Sequence, residues 1–275
     1  MTARFPLLSR NRGFLNNRTH ILRNMTQDER RIRLIRALLE EQKYQGVTVP
    51  QDADGQKRLL RGLLNVRPPM PASDTFLALQ DAYLQEATRE KGVTALSDLS
   101  PVRAHRYLWR GDITTLKVDA IVNAANSQLL GCFSPNHGCI DNAIHTFAGV
   151  ELRLRCHEIM QEQGHSEQTG TAKLTPGYNL PARYVLHTVG PIVFGPLTER
   201  HEEQLASCYR SCLDLARENG LRSVAFCCIS TGVFCFPNRR AAEIAIETVD
   251  ACAGDTDVVF NVWKEQDHAI YRSLL

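Results

Sequence analysis

The chain has 275 residues, 43% hydrophobic and 23% charged, with 32 Lys+Arg against 30 Asp+Glu for a net charge of +2. That length suits one large domain or a main domain with a small companion, and that composition can bury a full core. A disordered tail, a collagen and a disulfide miniprotein are excluded, and so balanced a charge gives no basic footprint for nucleic acid or for membrane adhesion.

The first 24 residues hold five arginines, at 4, 10, 12, 18 and 23, and no acidic residue. They lack the apolar core of a secretory signal; the Arg bias fits a mitochondrial transit peptide, but Ser is sparse. The expectation is a flexible basic extension over 1–26, or an upstream start with Met25 opening the ordered protein. Residues 27–100 read as a helical N-terminal extension. One helix is expected from Asp28 to Gln42 and a second from Gln56 to Leu64. Arg67-Pro68-Pro69-Met70-Pro71 then breaks the pattern. Ser73-Asp74 caps a third helix that carries Phe76, Leu77, Leu79, Tyr83 and Leu84. Leu99-Ser100-Pro101 marks the boundary with a second unit, 101–275. No run of about 18 apolar residues occurs, so no membrane span is expected.

From residue 104 strands and helices alternate. Tyr107-Leu108-Trp109 and Ala120-Ile121-Val122 read as strands, Ile140 to Met160 as one helix, and Ala172-Lys173-Leu174 and Tyr184-Val185-Leu186 as strands. Leu205, Cys208, Tyr209, Cys212, Leu213 and Ala216 line one helix face at offsets 0, 3, 4, 7, 8 and 11. Val224 to Ile229 reads as a buried strand. Ala241, Ile244, Ala245, Thr248, Val249 and Cys252 repeat the helical offsets, Val258 to Val262 reads as a strand, and a short helix follows Lys264. The alternation implies an α/β sheet covered by helices on both faces. Such sheets bind ligands in loops beyond the carboxyl ends of their strands. Nine cysteines, an odd number, with no secretory signal, point to a reducing compartment. Cys208 and Cys212 fall on a helix stripe and Cys227 and Cys228 in an apolar strand, as small buried hydrophobes.

Five segments can carry chemistry. Gly111-Asp112-Ile113 follows a strand; Asp112 can accept from an exocyclic amine or simply cap a turn. Asn123 and Asn126 close a buried strand, where carboxamides hold hydroxyl groups or form an Asx turn. Cys132, His137 and Cys139 form a Cys-x4-His-x-Cys cluster suited to a borderline-soft ion, zinc by default. Three ligands fit an open site, whereas a structural site needs a distant fourth such as Cys235 or His145. Asp141 opens the following helix, where it can orient a water or a ribose hydroxyl, or serve the helix start electrostatically. His145, one turn on, is expected to pack inside. Ser230-Thr231-Gly232-Val233-Phe234 follows a buried strand, where backbone N–H groups can face phosphate oxygens, and Phe234 can cover a ribose or diphosphate. Neither a P-loop nor a Gly-x-Gly-x-x-Gly fingerprint is present.

In order, Gly111-Asp112-Ile113-Thr114, Val118 to Asn126, Asp141 to His145, His187-Thr188-Val189-Gly190-Pro191 and Ser230 to Phe234 resemble the macrodomain family, which binds ADP-ribose. The resemblance covers about 104–275 and implies a mixed sheet between helices. The Cys–His loop replaces the glycine-rich segment many macrodomains carry before their Asp, and in this the chain resembles the zinc-dependent branch, the microbial protein-ADP-ribose hydrolases, which also carry a helical N-terminal extension. The resemblance implies one Zn²⁺ per chain on Cys132, His137 and Cys139. It implies the adenine amine on Asp112 with the Ile113 backbone beside it, the distal ribose on Asn126 supported by Asn123, and the diphosphate on Ser230, Thr231, Gly232, Val233 and Phe234. Asp141, with Asn126, stands at the catalytic position. The implied activity is removal of ADP-ribose from a mono-ADP-ribosylated protein, through an ester to Asp or Glu, in the cytoplasm; the modified acceptor it points to is a lipoylated carrier protein. A non-catalytic reader of ADP-ribose and an ADP-ribose 1″-phosphatase are the alternatives.

Overall fold

A computed structural model describes residues 24–275; the arginine-rich segment before Asn24 lies outside the described residues. Three helices open the fold: α1 (Gln27–Glu41), α2 (Ala53–Val66) and α3 (Asp74–Lys91). Each starts at a side-chain cap that accepts an otherwise unpaired N–H. Thr26 and Glu29 form a reciprocal capping box, Asp52 accepts from Gly55, and Ser73 accepts from Phe76. The second helix thus begins three residues before the apolar pattern does, because Asp52 rather than hydrophobicity sets its start. Met25, Leu34, Ile35, Leu38, Leu60, Leu63, Leu79 and Leu84 pack into one small core, which Val150 from the second unit completes.

Strand β1 (Thr94–Ala95) pairs in parallel with β3 (Leu116–Lys117) as a two-stranded ribbon. The main sheet contains β2 (Arg106–Arg110), β4 (Ala120–Ala125), β5 (Ala172–Pro176), β6 (Tyr184–Val189), β7 (Ser223–Phe226) and β8 (Asp257–Val262). Its spatial order is β2-β8-β7-β4-β6-β5, parallel throughout except for the antiparallel edge pair β5–β6. The crossovers run through α4 (Ile140–Ala148), α5 (Val150–Gln163), α6 (Glu199–Glu218) and α7 (Asn238–Cys252), and α8 (Glu265–Leu274) closes the chain. Adjacent residues of β6 show that both faces are covered, since successive side chains point to opposite sides. His187 lies 3.8 Å from Cys156 of α5, while Cys208 of α6 sits on the Thr188 side. This is the expected α/β fold, a mixed sheet flanked by helices.

Two elements differ from the sequence reading. The single helix expected from Ile140 to Met160 is two helices, broken at Gly149, whose φ of 97° and ψ of 175° lie outside any helix. Gln80 of α3 occupies the break: its Oε1 accepts the Val150 N–H at 2.9 Å, and a Cβ on Gly149 would come within 2.5 Å of its Nε2. The strand expected to reach Ile229 ends at Phe226, so Cys227 and Cys228 lie beyond the sheet, although Cys227 is buried. No helix among the described residues is long and apolar enough to cross a membrane.

Candidate active site

The carboxyl ends of β2, β4 and β7 deliver the three groups of candidate residues. Strand β2 runs out at Arg110, and Asp112 caps a short 3₁₀ turn over Ile113–Thr115, one oxygen accepting from Thr114 N and Oγ1 at 3.0 and 2.6 Å. Its other oxygen meets Lys91 Nζ, at the end of α3, at 2.8 Å. Burial pushes the Asp112 carboxyl up, but Lys91 and Thr114 outweigh it and hold the group below its ordinary value. The carboxylate therefore caps the turn with one oxygen and pairs with Lys91 through the other. Ile113 is buried in the main core. Trp263, which sequence reasoning passed over, follows Val262, the register partner of Arg110, and is 71% exposed beside this turn. Its signal was positional: an exposed tryptophan at the carboxyl end of a buried strand.

Strand β4 ends with Asn123 and Asn126 around Asp141. Asn123 Nδ2 donates to Asp141 Oδ1 at 2.8 Å and approaches His187 Nδ1 at 3.2 Å. Asn126 Nδ2 donates to the Gly131 carbonyl at 3.2 Å and reaches Asp141 Oδ2 at 3.5 Å, while its Oδ1 accepts the Gln128 N–H. Asp141 sits in the first turn of α4, at the helix start, with the Asn123 and Asn126 carboxamides against its oxygens. Burial pushes its carboxyl up to about 6, against the Asn123 amide and the Arg153 guanidinium. Beneath it lie His145, His187 and Cys156, all buried. Burial drives His187 down to about 3 and His145 well below its ordinary value, so both rings are neutral. His187 Nε2 meets Thr175 Oγ1 at 2.9 Å, whereas both ring nitrogens of buried His145 have no hydrogen-bond partner.

The loop before α4 brings Cys132, His137 and Cys139 together, with their ligand atoms all within 4.8 Å of one another. His137 Nδ1 is buried with no hydrogen-bond partner, a cost that an ion ligand would remove. Cys139 also caps α4, its Sγ accepting from Asn142 N at 3.4 Å, and burial raises its thiol. A donor set of two sulfurs and one imidazole suits Zn²⁺. Among the described residues neither Cys235 nor His145 joins the group. Cys235 is exposed, and His145 packs under Gly131, where a Cβ would come within 2.7 Å of the ring.

Beyond β7, Ser230 adopts φ 64° and buries an Oγ that has no partner. Left-handed backbone and an unpaired buried hydroxyl are both costs that the surrounding structure has to offset. Gly190 makes the fold possible there, since a Cβ on it would overlap Ser230 Oγ at 2.0 Å. Gly232 and Val233 are exposed, Thr231 and Phe234 half-buried, and the Phe234 carbonyl accepts the Val193 N–H at 2.9 Å. The three groups thus lie at the carboxyl ends of strands of one sheet, in the spatial order β2, β8, β7 and β4.

The Macro domain model matches residues 122–245. A "Protein-ADP-ribose hydrolase" of Treponema medium is 60% identical over 260 residues, 91% of this chain and all of that one. The chain belongs to the macrodomain family. A further "Protein-ADP-ribose hydrolase", from Staphylococcus aureus strain MSSA476, is 52% identical over 82% of this chain and 87% of its own. Among solved structures, a Trypanosoma brucei macrodomain in complex with ADP-ribose superposes with a TM-score of 0.59 at 34% identity, covering 78% of this chain and 94% of that one. A match of 260 residues is longer than 101–275 and therefore runs into the N-terminal helices of this macrodomain.

Proposed function

We propose that this macrodomain is a zinc-dependent hydrolase that removes ADP-ribose from mono-ADP-ribosylated proteins, cutting an ester to Asp or Glu. The observation that carries the reading is the adjacency of Asp141, Asn126 and the Cys132–His137–Cys139 set beyond the carboxyl end of β4. Relatives named for protein-ADP-ribose hydrolysis support the reaction class, and the ADP-ribose complex of the trypanosomal macrodomain supports the ligand.

In this reading adenine lies against the exposed Trp263 face and offers its amine to the Asp112 oxygen shared with Lys91. The diphosphate sits on residues 230–234, where Ser230 Oγ gains the partner it lacks. Asn126 holds the distal ribose, which brings the anomeric carbon beside Asp141. Asp141 orients the attacking water and takes its proton, with Asn123 fixing the carboxylate from below. Cys132, His137 and Cys139 would hold the ion, which when bound lowers the pKa of a water or polarises a substrate oxygen. The anomeric C–O bond breaks, the sugar gains the hydroxyl of water, and the acceptor carboxylate leaves with the proton. Docking the whole ADP-ribose leaves little ordering for the chemical step. We place the activity in the cytoplasm, with a lipoylated carrier protein as one acceptor to test.

The test is release of free ADP-ribose from a glutamate-linked acceptor by zinc-loaded protein, before and after chelation. Release that stops on chelation and returns with Zn²⁺ supports the reading. Retention of label by loaded protein makes it a reader, and activity only on ADP-ribose 1″-phosphate makes it a phosphatase.

A further inference from the structure

Helix α2 of the N-terminal extension reaches the metal loop. Arg61 donates through Nε and Nη2 to Asn142 Oδ1 at 3.1 and 2.7 Å, and through Nη2 to the His137 carbonyl at 3.1 Å. Asn142 is fully buried and relays the contact, its Nδ2 donating to the carbonyls of Ser134 at 3.0 Å and Cys132 at 3.4 Å. One turn further along α2, Asn65 Oδ1 accepts the Asn136 N–H at 2.9 Å, and its Nδ2 donates to Thr146 Oγ1. Gly62 lies between them, and even a Cβ there would come within 3.2 Å of Asn136 Nδ2. The tie is reciprocal: buried Arg153 of α5 donates to the Leu130 carbonyl at 2.7 Å, to the Leu64 carbonyl in the last turn of α2 and to the carbonyl of Arg67, which follows the helix. Loop 132–139 is irregular, so its backbone groups need partners from elsewhere. The carbonyls of two of the three ligand residues are bound within this network.

We propose that Arg61 is a positioning residue for the metal ligands, holding loop 132–139 in its ligating form before the ion arrives. The N-terminal extension is then part of the metal site. The proposal rests on the metal reading above. A three-ligand set binds an ion more tightly when the ion need not order the loop itself. The planar Arg fork spans Asn142 and His137 at once, which a lysine ammonium does not reproduce. Losing such an outer partner typically weakens metal affinity about 10- to 100-fold.

The experiment uses the full chain with Arg61→Met and Arg61→Lys. Zn²⁺ dissociation constants are measured by competition with a chromophoric chelator. Amide exchange across 132–139 is followed on metal-free protein, with circular dichroism as the check on folding. Arg61→Met is expected to bind Zn²⁺ about 10- to 100-fold more weakly and to exchange its loop amides faster, with Arg61→Lys between it and the wild type. If Arg61→Met does not fold, Arg61→Lys carries the comparison, with weaker binding still expected. Variants equal to wild type in affinity and loop exchange overturn the clamp and leave the metal site standing. A wild type that takes up no Zn²⁺ overturns the metal reading and the proposal together.

Discussion

Ser230 combines two costs in one residue, a left-handed backbone at φ 64° and a buried hydroxyl without a partner. Ser230→Gly relieves both costs together and Ser230→Ala relieves only the hydroxyl. Ser230→Gly suits the backbone and is expected to leave stability unchanged or raise it by up to about 1 kcal/mol, while ADP-ribose binding weakens severalfold. Ser230→Ala loses the hydroxyl but keeps the backbone strain, so its affinity loss comes with only the relief of the unpaired hydroxyl. Calorimetric titration with ADP-ribose and urea unfolding of both variants separate the terms; wild-type affinity in Ser230→Ala would remove the hydroxyl from the site. Cys139 is a second residue with two duties, ligand and cap of α4. Cys139→Ala is expected to abolish stoichiometric zinc and ADP-ribose release together. The cap loss costs about 0.5–2 kcal/mol, so the fold survives. Elemental analysis and a thermal melt check this, and global unfolding of the variant would make the ion structural.

At the scale of elements, the helical stripes were legible because their period is a property of the local chain: 205–216 and 241–252 form the helices their offsets predict. The break between α4 and α5 was not, because it depends on Gln80, a residue remote in sequence that fills the space beside Gly149. The same logic hid Arg61. A signal existed, since Lys57, Arg58, Leu64 and Asn65 give it no intrahelical carboxylate, but its partners Asn142 and His137 are long-range. The site motifs were legible because they sit at strand ends and keep their order. Gly149→Ala places a Cβ against Gln80 in backbone that only glycine adopts freely. It is expected to destabilise by about 1–3 kcal/mol, read by urea unfolding at constant slope. Asp119 ties elements differently, accepting from the Arg222 and Ser223 amides at the start of β7 and from Arg183 before β6. Burial pushes its carboxyl up, but these donors prevail and hold it below its ordinary value of 3.8. Its stabilisation is therefore present above about pH 4 and is lost as pH falls through the folded value. The stability gap between wild type and Asp119→Asn should be open at pH 7 and narrow below pH 4 in paired urea titrations; a gap independent of pH would assign the effect to packing.

For the whole molecule, the question is whether the N-terminal helices form a separate body. The buried members of the sheet core begin at Ile113, so that core closes without them. The junction is nevertheless mutual. Val150 completes the small core, Arg153 satisfies the end of α2, and Lys91 joins Asp112. A chain beginning at residue 101 is thus expected to form its sheet, because the fully buried members of the main core are all kept, while losing Leu96, Leu99 and β1, exposing Val150 and losing the partners of Asn136, Asn142 and the His137 carbonyl. Its midpoint should fall by about 5 °C or more, since each kcal/mol lost shifts a domain of this size by roughly 2–4 °C. Zinc affinity should fall at least as far as in Arg61→Met, because the truncation removes Asn65 as well. Circular dichroism, a thermal melt and chelator competition on the shortened chain read the three quantities independently. Native-like circular dichroism with weakened zinc binding locates the contribution of the helices in the metal loop. Full zinc affinity at a lowered midpoint would reduce them to a brace for the sheet, and the coupling between extension and catalysis would have to be sought at Lys91 and Asp112 instead.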